Sequence, residues 1–449
     1  MEAYWYYLDV LAKDNQIVSR VDIGDHLFEK KPTLPKVDVS QVYICREGDQ
    51  LNAQQIAKIR ACVDYRDIES LFSPKFSLNS RWLKQLLFSY LRQDPSLEQF
   101  YDSSKNSLIV DEVCFFFEAV PEILFRVYVL SRTAPEILER SFFCFWLAVF
   151  LGFYTGRDGE FNHRLLIACL CHDLGLLDID IALTTPSQGS GQYKYAYYEH
   201  TTLGANFIKS AGVEDNEIYK AICQHHEYID GTGLPNHLIG VRLSEIGQLI
   251  NMFDSLYLAY NSTFMPIGRG ITDLVPIIEM NSVTRFGFSA KSLIELLETG
   301  EKLPIPSLPL DTLHALRQLV QNLFASVDQA SKVIQTFTNT VGFRHDDKAL
   351  SALQNGFFHI VLVIHKSEKI SPEYLSELQN MNDSALLENG RELEDLSLML
   401  KEVFFHISEF KYRLSVYAST CNNEAVKNEA EKTLAQLDDK VLTLENDYV

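Results

Sequence analysis

Apolar residues recur every three or four positions along most of this chain, and this spacing constrains its fold more than any other feature. After Leu78 the spacing is helical, as at Leu83, Leu87 and Leu91, and it dominates until about residue 300. It returns beyond residue 310. Such spacing gives each helix one apolar stripe that must pack against other helices. We therefore expect a mainly α fold built around an all-helical core.

The N-terminal part departs from this pattern. Between Ile17 and about Ile68, β-branched residues, prolines and glycines alternate with short polar turns. Residues 39–63 indicate a strand, a turn containing Gly48 and then a helix. We predict a small α/β module there, followed by a helical linker up to residue 105.

The C-terminal part begins after a cluster of helix-breaking prolines, Pro304, Pro306 and Pro309. Beyond it we expect four or five amphipathic helices that close into an antiparallel bundle. The apolar positions that predict them include Leu313, Leu316, Leu319, Leu323, Val327, Leu396, Met399, Val403, Ile407, Phe410 and Leu414. His359, His365 and His406 lie in this region, and a phosphoacceptor histidine is the functional alternative to simple packing there.

The length of 449 residues exceeds what a single core of about 250–300 residues supports, so two or three domains are expected. The patterns above place them at 1–105, 106–300 and 301–449. Sixty acidic against 40 basic residues give a net charge of −20, which argues against general nucleic-acid binding.

The longest apolar run, Phe142 to Tyr154, has 13 residues, and a span needs about 20. We interpret it as a buried helix and predict no membrane span. Eight cysteines lie without CxxC spacing, and the N-terminus has no signal-peptide pattern. We therefore expect a cytoplasmic protein without disulfides.

Four short blocks concentrate the residues that have metal chemistry. They are CHDLG at 171–175, HTTLG at 200–204, HHEYIDGTGLP at 225–235 and NMFDSL at 251–256. Imidazole and carboxylate ligands suit divalent first-row metals, and an adjacent His-Asp pair lets the carboxylate bridge two ions.

The order and spacing of these blocks resemble the HD-GYP subgroup of the HD superfamily, metal-dependent phosphohydrolases of bacterial type. The resemblance covers roughly residues 130–298 and implies an all-helical core that hydrolyses cyclic dimeric GMP. The positions that match the family pattern are His172, Asp173, His200, Gly204, His225, His226, Glu227, Asp230, Gly231, Gly233 and Pro235.

Other positions depart from that pattern. Arg140 stands where the family has its first metal-binding histidine, and Glu136, four residues earlier, keeps the acid that precedes it. The remaining departures are Leu176 for a lysine, Leu234 for a tyrosine and Asn251 for the first acid of DxxD, whose second acid is Asp254. After DxxD only Arg269 represents the basic groups that hold substrate phosphates in the family.

These departures affect the ligands of one metal ion and leave those of the other ion unchanged. The resemblance assigns one ion to Asp173, His200, His225 and His226, which are all present. The other ion lacks two of its four ligands, at Arg140 and Asn251, and the nearby acids that would substitute for them are Glu136, Asp254 and Glu227. Since a guanidinium stays protonated and cannot bind a metal, we expect one Fe, Mn or Zn class ion or none. Arg140 is instead expected to replace an ion as a cation and to pair with Asp173 or Glu136.

Three interpretations follow. The first is a degenerate HD-GYP protein that acts as a regulatory or scaffolding module in cyclic dinucleotide signalling. The second is an active metal-dependent phosphodiesterase on cyclic dimeric GMP, and the third is that the histidines only pack in a helical core. A cyclic dinucleotide is the possible ligand. The N-terminal module faintly resembles the accessory domain that precedes such cores, and the C-terminal bundle suggests a protein partner or self-association.

Overall fold

The computed structural model describes residues 2–14, 16–20, 44–62, 71–180, 191–287, 289–304, 307–343, 347–366 and 370–445. It is mainly α, as the apolar spacing predicts, and the described residues contain two short strands. Most of the predicted N-terminal strand, with the segment VDIGDHLF at 21–28, lies outside the described residues.

The α-helices are α1 (Glu2–Lys13), α2 (Ala53–Cys62), α3 (Ser80–Leu91), α4 (Pro95–Glu98), α5 (Ser103–Phe116), α6 (Pro121–Thr133), α7 (Pro135–Thr155), α8 (Gly159–Cys171), α9 (Gly191–Ser210), α10 (Asn216–Gln224), α11 (Glu245–Ala259), α12 (Val275–Asn281), α13 (Ser289–Glu298), α14 (Leu310–Val341), α15 (Lys348–Lys366), α16 (Pro372–Asn380), α17 (Asp383–Glu388), α18 (Gly390–Thr420) and α19 (Glu424–Glu445). The strands are β1 (Ile17–Ser19) and β2 (Phe72–Pro74). Short 3₁₀ or π segments include Leu174–Asp178, Gly240–Arg242, Tyr260–Phe264 and Ser282–Phe286.

The chain forms two compact units, and each unit consists of two separate segments of the sequence. The first unit is Met1–His226 with Ser244–Tyr257, and the second is Glu227–Leu243 with Leu258–Val449. The boundary falls inside the block that begins with His225 and His226. The three sequence domains at 1–105, 106–300 and 301–449 stay a prediction.

The first unit has α7 at its centre. Trp146 on this helix is fully buried, and its indole nitrogen donates a hydrogen bond to the Leu87 carbonyl over 3.1 Å. The helix ends at Gly156, whose left-handed conformation (φ 62°) closes the last turn. Among the described residues, α7 is the one helix long and apolar enough to cross a membrane, and 78% of its most apolar stretch is buried inside the protein. This burial is what we expected of a core helix.

The N-terminal part of the first unit contains both strands and helices. β1 pairs antiparallel with β2, with Ile17 opposite Pro74. The predicted turn occurs at Gly48, which has a φ of +84° that glycine adopts without strain, and the predicted helix follows as α2.

The second unit contains the C-terminal helices. α14 begins at Leu310, immediately after the proline cluster, and packs against α18 and α19, while α15 packs against α18. The six apolar positions that predict α18, from Leu396 to Leu414, are all buried. His359 and His406 are also buried, so neither is exposed as a phosphoacceptor would be, whereas His365 is exposed.

Candidate metal centre

Three helices of the first unit deliver the predicted ligands. α8 ends at Cys171, so His172 and Asp173 are the first residues beyond its last turn. His200 lies in the middle of α9, and His225 and His226 directly follow α10. Both α8 and α10 start from an aspartate that caps backbone amides, and both bury an apolar face, which fixes where their C-terminal ends point.

Two glycines let the segment after Asp173 approach α9. A Cβ atom on Gly175 would lie 2.0 Å from the His200 carbonyl oxygen and 2.6 Å from the Gly204 nitrogen. A Cβ on Gly204 would in turn lie 3.1 Å from the Gly175 nitrogen. The glycines of the HDxG and HxxxG blocks are therefore needed for the backbone contact that brings Asp173 to His200.

The ligand atoms of Asp173, His200, His225 and His226 all lie within 4.8 Å of one another. Asp173 Oδ1 is 3.3 Å from His200 Nε2 and 3.7 Å from His225 Nε2, and these two nitrogens are 3.3 Å apart. Asp173 Oδ1 and His226 Nε2 are buried and have no hydrogen-bond partner among the residues that the structure describes. Buried polar atoms are normally paired, so these unpaired atoms fit a site for a cation.

The opposite ring nitrogens orient the histidines. His172, His200 and His225 each place Nδ1 within 2.6–2.8 Å of the carbonyl oxygen three residues earlier, at Cys169, Tyr197 and Ile222. A carbonyl accepts only, so Nδ1 carries the proton in each ring. Nε2 is then the lone-pair nitrogen, which is the tautomer that binds a metal.

The protonation states also favour ligation. Burial lowers the pKa of His225 to about 3 and that of His226 well below its usual value. Burial would raise the pKa of Asp173, but Arg140 and His172 hold it well below its usual range. At neutral pH these two histidines are neutral and the carboxylate is charged, as metal binding requires.

Arg140 lies beside this cluster and confirms the expected pairing with Asp173. Its Nε is 2.7 Å from Asp173 Oδ2 and 3.0 Å from Asp254 Oδ1. Its Nη2 donates to Asp173 and, over 3.1 Å, to the Tyr197 hydroxyl. Burial opposes the charge of Arg140, but the two carboxylates raise its pKa well above the usual value.

The alternative partner, Glu136, is placed elsewhere. It is exposed in the first turn of α7 and belongs to neither group of potential ligands found among the described residues. The sequence suggested Asp173 or Glu136 as the partner of Arg140. The structure shows that Arg140 pairs with Asp173 and with Asp254.

Asn251 and Asp254 have different roles. Asn251 Nδ2 donates a hydrogen bond of 2.8 Å to the His225 carbonyl, so this side chain fixes the end of α10. Asp254, one helical turn later on α11, faces Arg140, and its Oδ2 is 3.9 Å from His226 Nδ1. Burial raises the pKa of Asp254. Of the nearby acids that the sequence offered as substitutes, Asp254 is thus the one that lies beside Arg140 and His226.

Cys144 is a site residue that the sequence did not reveal. Its thiol, His172 and Asp254 form a second group whose ligand atoms lie within 4.8 Å of one another. Cys144 belongs to none of the four sequence blocks, although its position four residues after Arg140 puts it on the same face of α7. Burial raises the pKa of this thiol well above its usual value, so it is protonated at neutral pH.

The remaining HHE block residues belong to the second unit and shape a loop, Glu227–Leu243, which we call the motif loop. The Glu227 carboxylate accepts hydrogen bonds from the amides of Asn236 (2.6 Å) and Leu238 (3.0 Å). Asp230 Oδ1 accepts from the Thr232 amide and hydroxyl. These acids therefore close the loop.

Small or apolar residues complete the predicted set. Gly231 has a φ of +76°, and a Cβ on Gly233 would lie 2.2 Å from the Tyr228 nitrogen, so neither position accepts a side chain without strain. Pro235 follows Leu234 in the same loop, and Leu234 is half-buried. Leu176, where the family has lysine, is buried in the core of the first unit. Arg269 is buried against Asp273, Glu394 and Asp395, so its charge is used within the second unit.

Comparisons with known proteins add little to this geometry. No protein-family model matches the chain, and no curated protein is similar to it. A solved structure, that of a cyclic GMP-AMP-specific phosphodiesterase of V. cholerae, aligns with 69% of this chain and 94% of its own length, at 12% sequence identity. Its TM-score of 0.29 is too low to support an argument about fold or function, so the interpretation depends on the residues themselves.

Proposed function

We propose that this protein is a degenerate HD-GYP-type module that binds one divalent metal ion and acts as a regulatory or scaffolding module in cyclic dinucleotide signalling. The ion, of the Fe, Mn or Zn class, would be held by Asp173, His200, His225 and His226, whose ligand atoms already converge. The observation that supports a single ion is the position of Arg140 between two buried carboxylates.

The guanidinium excludes a second ion by its charge. An arginine is protonated at any ordinary pH. A divalent ion about 4 Å from it meets a repulsion of about 8 kcal/mol at an effective dielectric constant of about 20. Arg140 also uses the Asp173 and Asp254 oxygens that a second ion would need. Arg140 therefore neutralises the two carboxylates as a second metal ion would. Unlike a metal ion, it cannot act as a Lewis acid or activate water.

The donor set on the other side of Asp173 suits one ion. Three imidazoles and one carboxylate are the ligands that Zn²⁺, Mn²⁺ and Fe²⁺ accept. When bound, such an ion polarises a phosphoryl oxygen and lowers the pKa of water. Two-metal hydrolysis also uses a second ion to clamp the leaving oxygen, and here a fixed guanidinium takes that place. We therefore expect phosphodiester hydrolysis to be slow or absent.

The alternative is an active phosphodiesterase on cyclic dimeric GMP. One observation favours it. The group formed by Cys144, His172 and Asp254 gives a second ion three potential ligands next to the first site. This alternative requires Arg140 to leave the carboxylates when metal binds.

Metal content tests the proposal. The protein and three variants are purified without chelators, and bound metal is counted by elemental mass spectrometry. We expect one ion per chain in the wild type, none in His226→Ala and two in Arg140→His. His365→Ala removes an exposed histidine outside the cluster and should keep one ion.

The other outcomes are informative. Two ions in the wild type, together with hydrolysis of cyclic dimeric GMP, would replace the proposal with the active phosphodiesterase. No ion in the wild type or in Arg140→His would mean that the histidines only pack in the core.

A further inference from the structure

The motif loop is anchored to the C-terminal helices by polar contacts to its backbone. Asn355 on α15 donates a hydrogen bond of 2.8 Å from Nδ2 to the Asp230 carbonyl. Arg413 on α18 donates from Nη1 to the Thr232 carbonyl. Arg285, in the segment Ser282–Phe286, lies over the Tyr228 ring, 4.3 Å from its centroid. Three separate elements of the second unit thus bind three positions of the loop.

Glu409 joins two of these anchors. Its carboxylate is 2.7 Å from Arg285 Nη2 and 3.8 Å from Arg413 Nη2. Burial would raise its pKa, but Arg285 and Arg413 lower it to about 2, so Glu409 is charged under ordinary conditions. The Glu409 carboxylate on α18 therefore forms ion pairs with both Arg285 and Arg413.

The hydrogen bond from Arg413 is stronger and more directional than packing because its donor is charged. A hydrogen bond from a charged donor is roughly twice as strong as one between neutral groups. Two of the anchors end on main-chain carbonyl oxygens, so they fix the backbone position of the loop whatever its side chains are. The Glu227 hydrogen bonds close the same loop from inside. The loop backbone is therefore tied to the helices that hold Arg413 and Asn355.

The loop begins one peptide bond after His226. Tyr228, Asp230 and Thr232, the anchored positions, are two to six residues beyond this predicted ligand. A displacement of the anchors changes the path of the chain that leaves His226, and a metal bond is sensitive to such a change because ligand distances must lie within about 0.2 Å of their usual values. The C-terminal helices are thus linked to the predicted ligand His226 through two hydrogen bonds to the motif loop and the short stretch of chain between the loop and His226.

We propose that Arg413 and Asn355 are positioning residues through which the C-terminal bundle sets the metal affinity of the centre. The inference rests on the proposed function, since it requires the centre to bind an ion. Anything that shifts α15 or α18 would then change metal binding. By thermodynamic reciprocity, metal binding would change the stability of those helices to the same extent.

Co²⁺ titration, followed by its visible absorption, measures the affinity of the centre in the full-length protein. We expect Arg413→Ala to weaken Co²⁺ binding about tenfold or more and Asn355→Ala to weaken it less. Arg317→Ala is the matched control, because Arg317 donates a comparable hydrogen bond to the Met381 carbonyl within the same bundle. Its Co²⁺ affinity should stay within about twofold of the wild type.

Hydrogen exchange supplies a second readout that separates coupling from unfolding. In the wild type, Co²⁺ should slow amide exchange in the motif loop and around residues 409–417 of α18. Arg413→Ala should remove the effect on α18. If the loop amides exchange faster in Arg413→Ala while Co²⁺ affinity is unchanged, the anchors are structural only and the inference is wrong. If the wild type binds no Co²⁺, the proposed function fails and the inference fails with it.

Discussion

Arg140 neutralises two carboxylates that would otherwise be buried together without a counter-ion. Asp173 and Asp254 have side chains that are 1% and 5% exposed, and Arg140 contacts both. A buried ion pair contributes little net stability, but removing one partner leaves an uncompensated charge, which is strongly destabilising. Arg140 therefore supports the fold whether or not the centre has any activity.

Replacing Arg140 by alanine should lower the free energy of unfolding by about 3–5 kcal/mol in the absence of metal. Added Zn²⁺ should recover part of this loss, because an ion can then occupy the position between the two carboxylates. Denaturant unfolding with and without Zn²⁺ measures both effects. Arg132→Ala, which removes an exposed arginine at the end of α6, should change stability by less than about 0.5 kcal/mol. Equal losses in the two variants would contradict this account of Arg140.

At the scale of elements, the centre depends on how closely the segment after Asp173 approaches α9. The Gly175 and Gly204 backbones are in contact, and the His200 carbonyl occupies the space where a Gly175 side chain would lie. Any side chain at Gly175 would push the two segments apart. The short distance between Asp173 and His200 thus depends on the contact between the segment after Asp173 and α9, which the two glycines permit.

Gly175→Ala should force the segment away from α9, with a loss of about 3 kcal/mol in stability and at least tenfold weaker metal binding. The control is Gly159→Ala at the start of α8, where an added Cβ meets nothing within 4 Å. That change should be neutral or should stabilise the protein by up to about 1 kcal/mol, since alanine has the better helix propensity. Thermal unfolding and Co²⁺ titration of both variants check the expectation, and normal Co²⁺ binding by Gly175→Ala would refute it.

At the scale of the whole molecule, acidic residues outnumber basic ones by 60 to 40, and among the described residues each buried arginine, Arg126, Arg269 and Arg285, is paired with an acid. In the second unit Arg269 and Arg285 follow this rule, each bound to acids of α18. Acid pH protonates such partners and weakens the unit. The location of the protein in the cytoplasm and its partners remain predictions.

Glu409 gives this acid sensitivity a defined range. Its pKa is about 2 in the folded protein and about 4.3 in an unfolded chain, so the folded state favours the ionised form. Its contribution, up to about 3 kcal/mol, is complete above pH 4.5 and disappears as the pH falls to 2. The difference in unfolding free energy between wild type and Glu409→Gln should therefore shrink over that range. A difference that is constant from pH 5 to pH 2.5 would show that Glu409 is not held as an anion.

The sequence by itself determined the helical fold and which histidines converge on Asp173. Apolar spacing reports which face of a helix is buried, and the proline cluster and Gly48 mark breaks, so the long helices after Leu78 follow from local rules. The spacing of the blocks at His172, His200 and His225 likewise identified residues that the fold brings together.

Only the tertiary structure decided which side chains lie next to the cluster around Asp173. Arg140 and Cys144 on α7 meet Asp254 on α11, and the rotation of α11 about its own axis decides that Asp254 faces Arg140 while Asn251 faces the His225 carbonyl. The anchoring of the motif loop by Arg413 likewise joins residues 181 positions apart. Such contacts depend on the directions of side chains from separate helices, and these directions are fixed by packing rather than by local sequence.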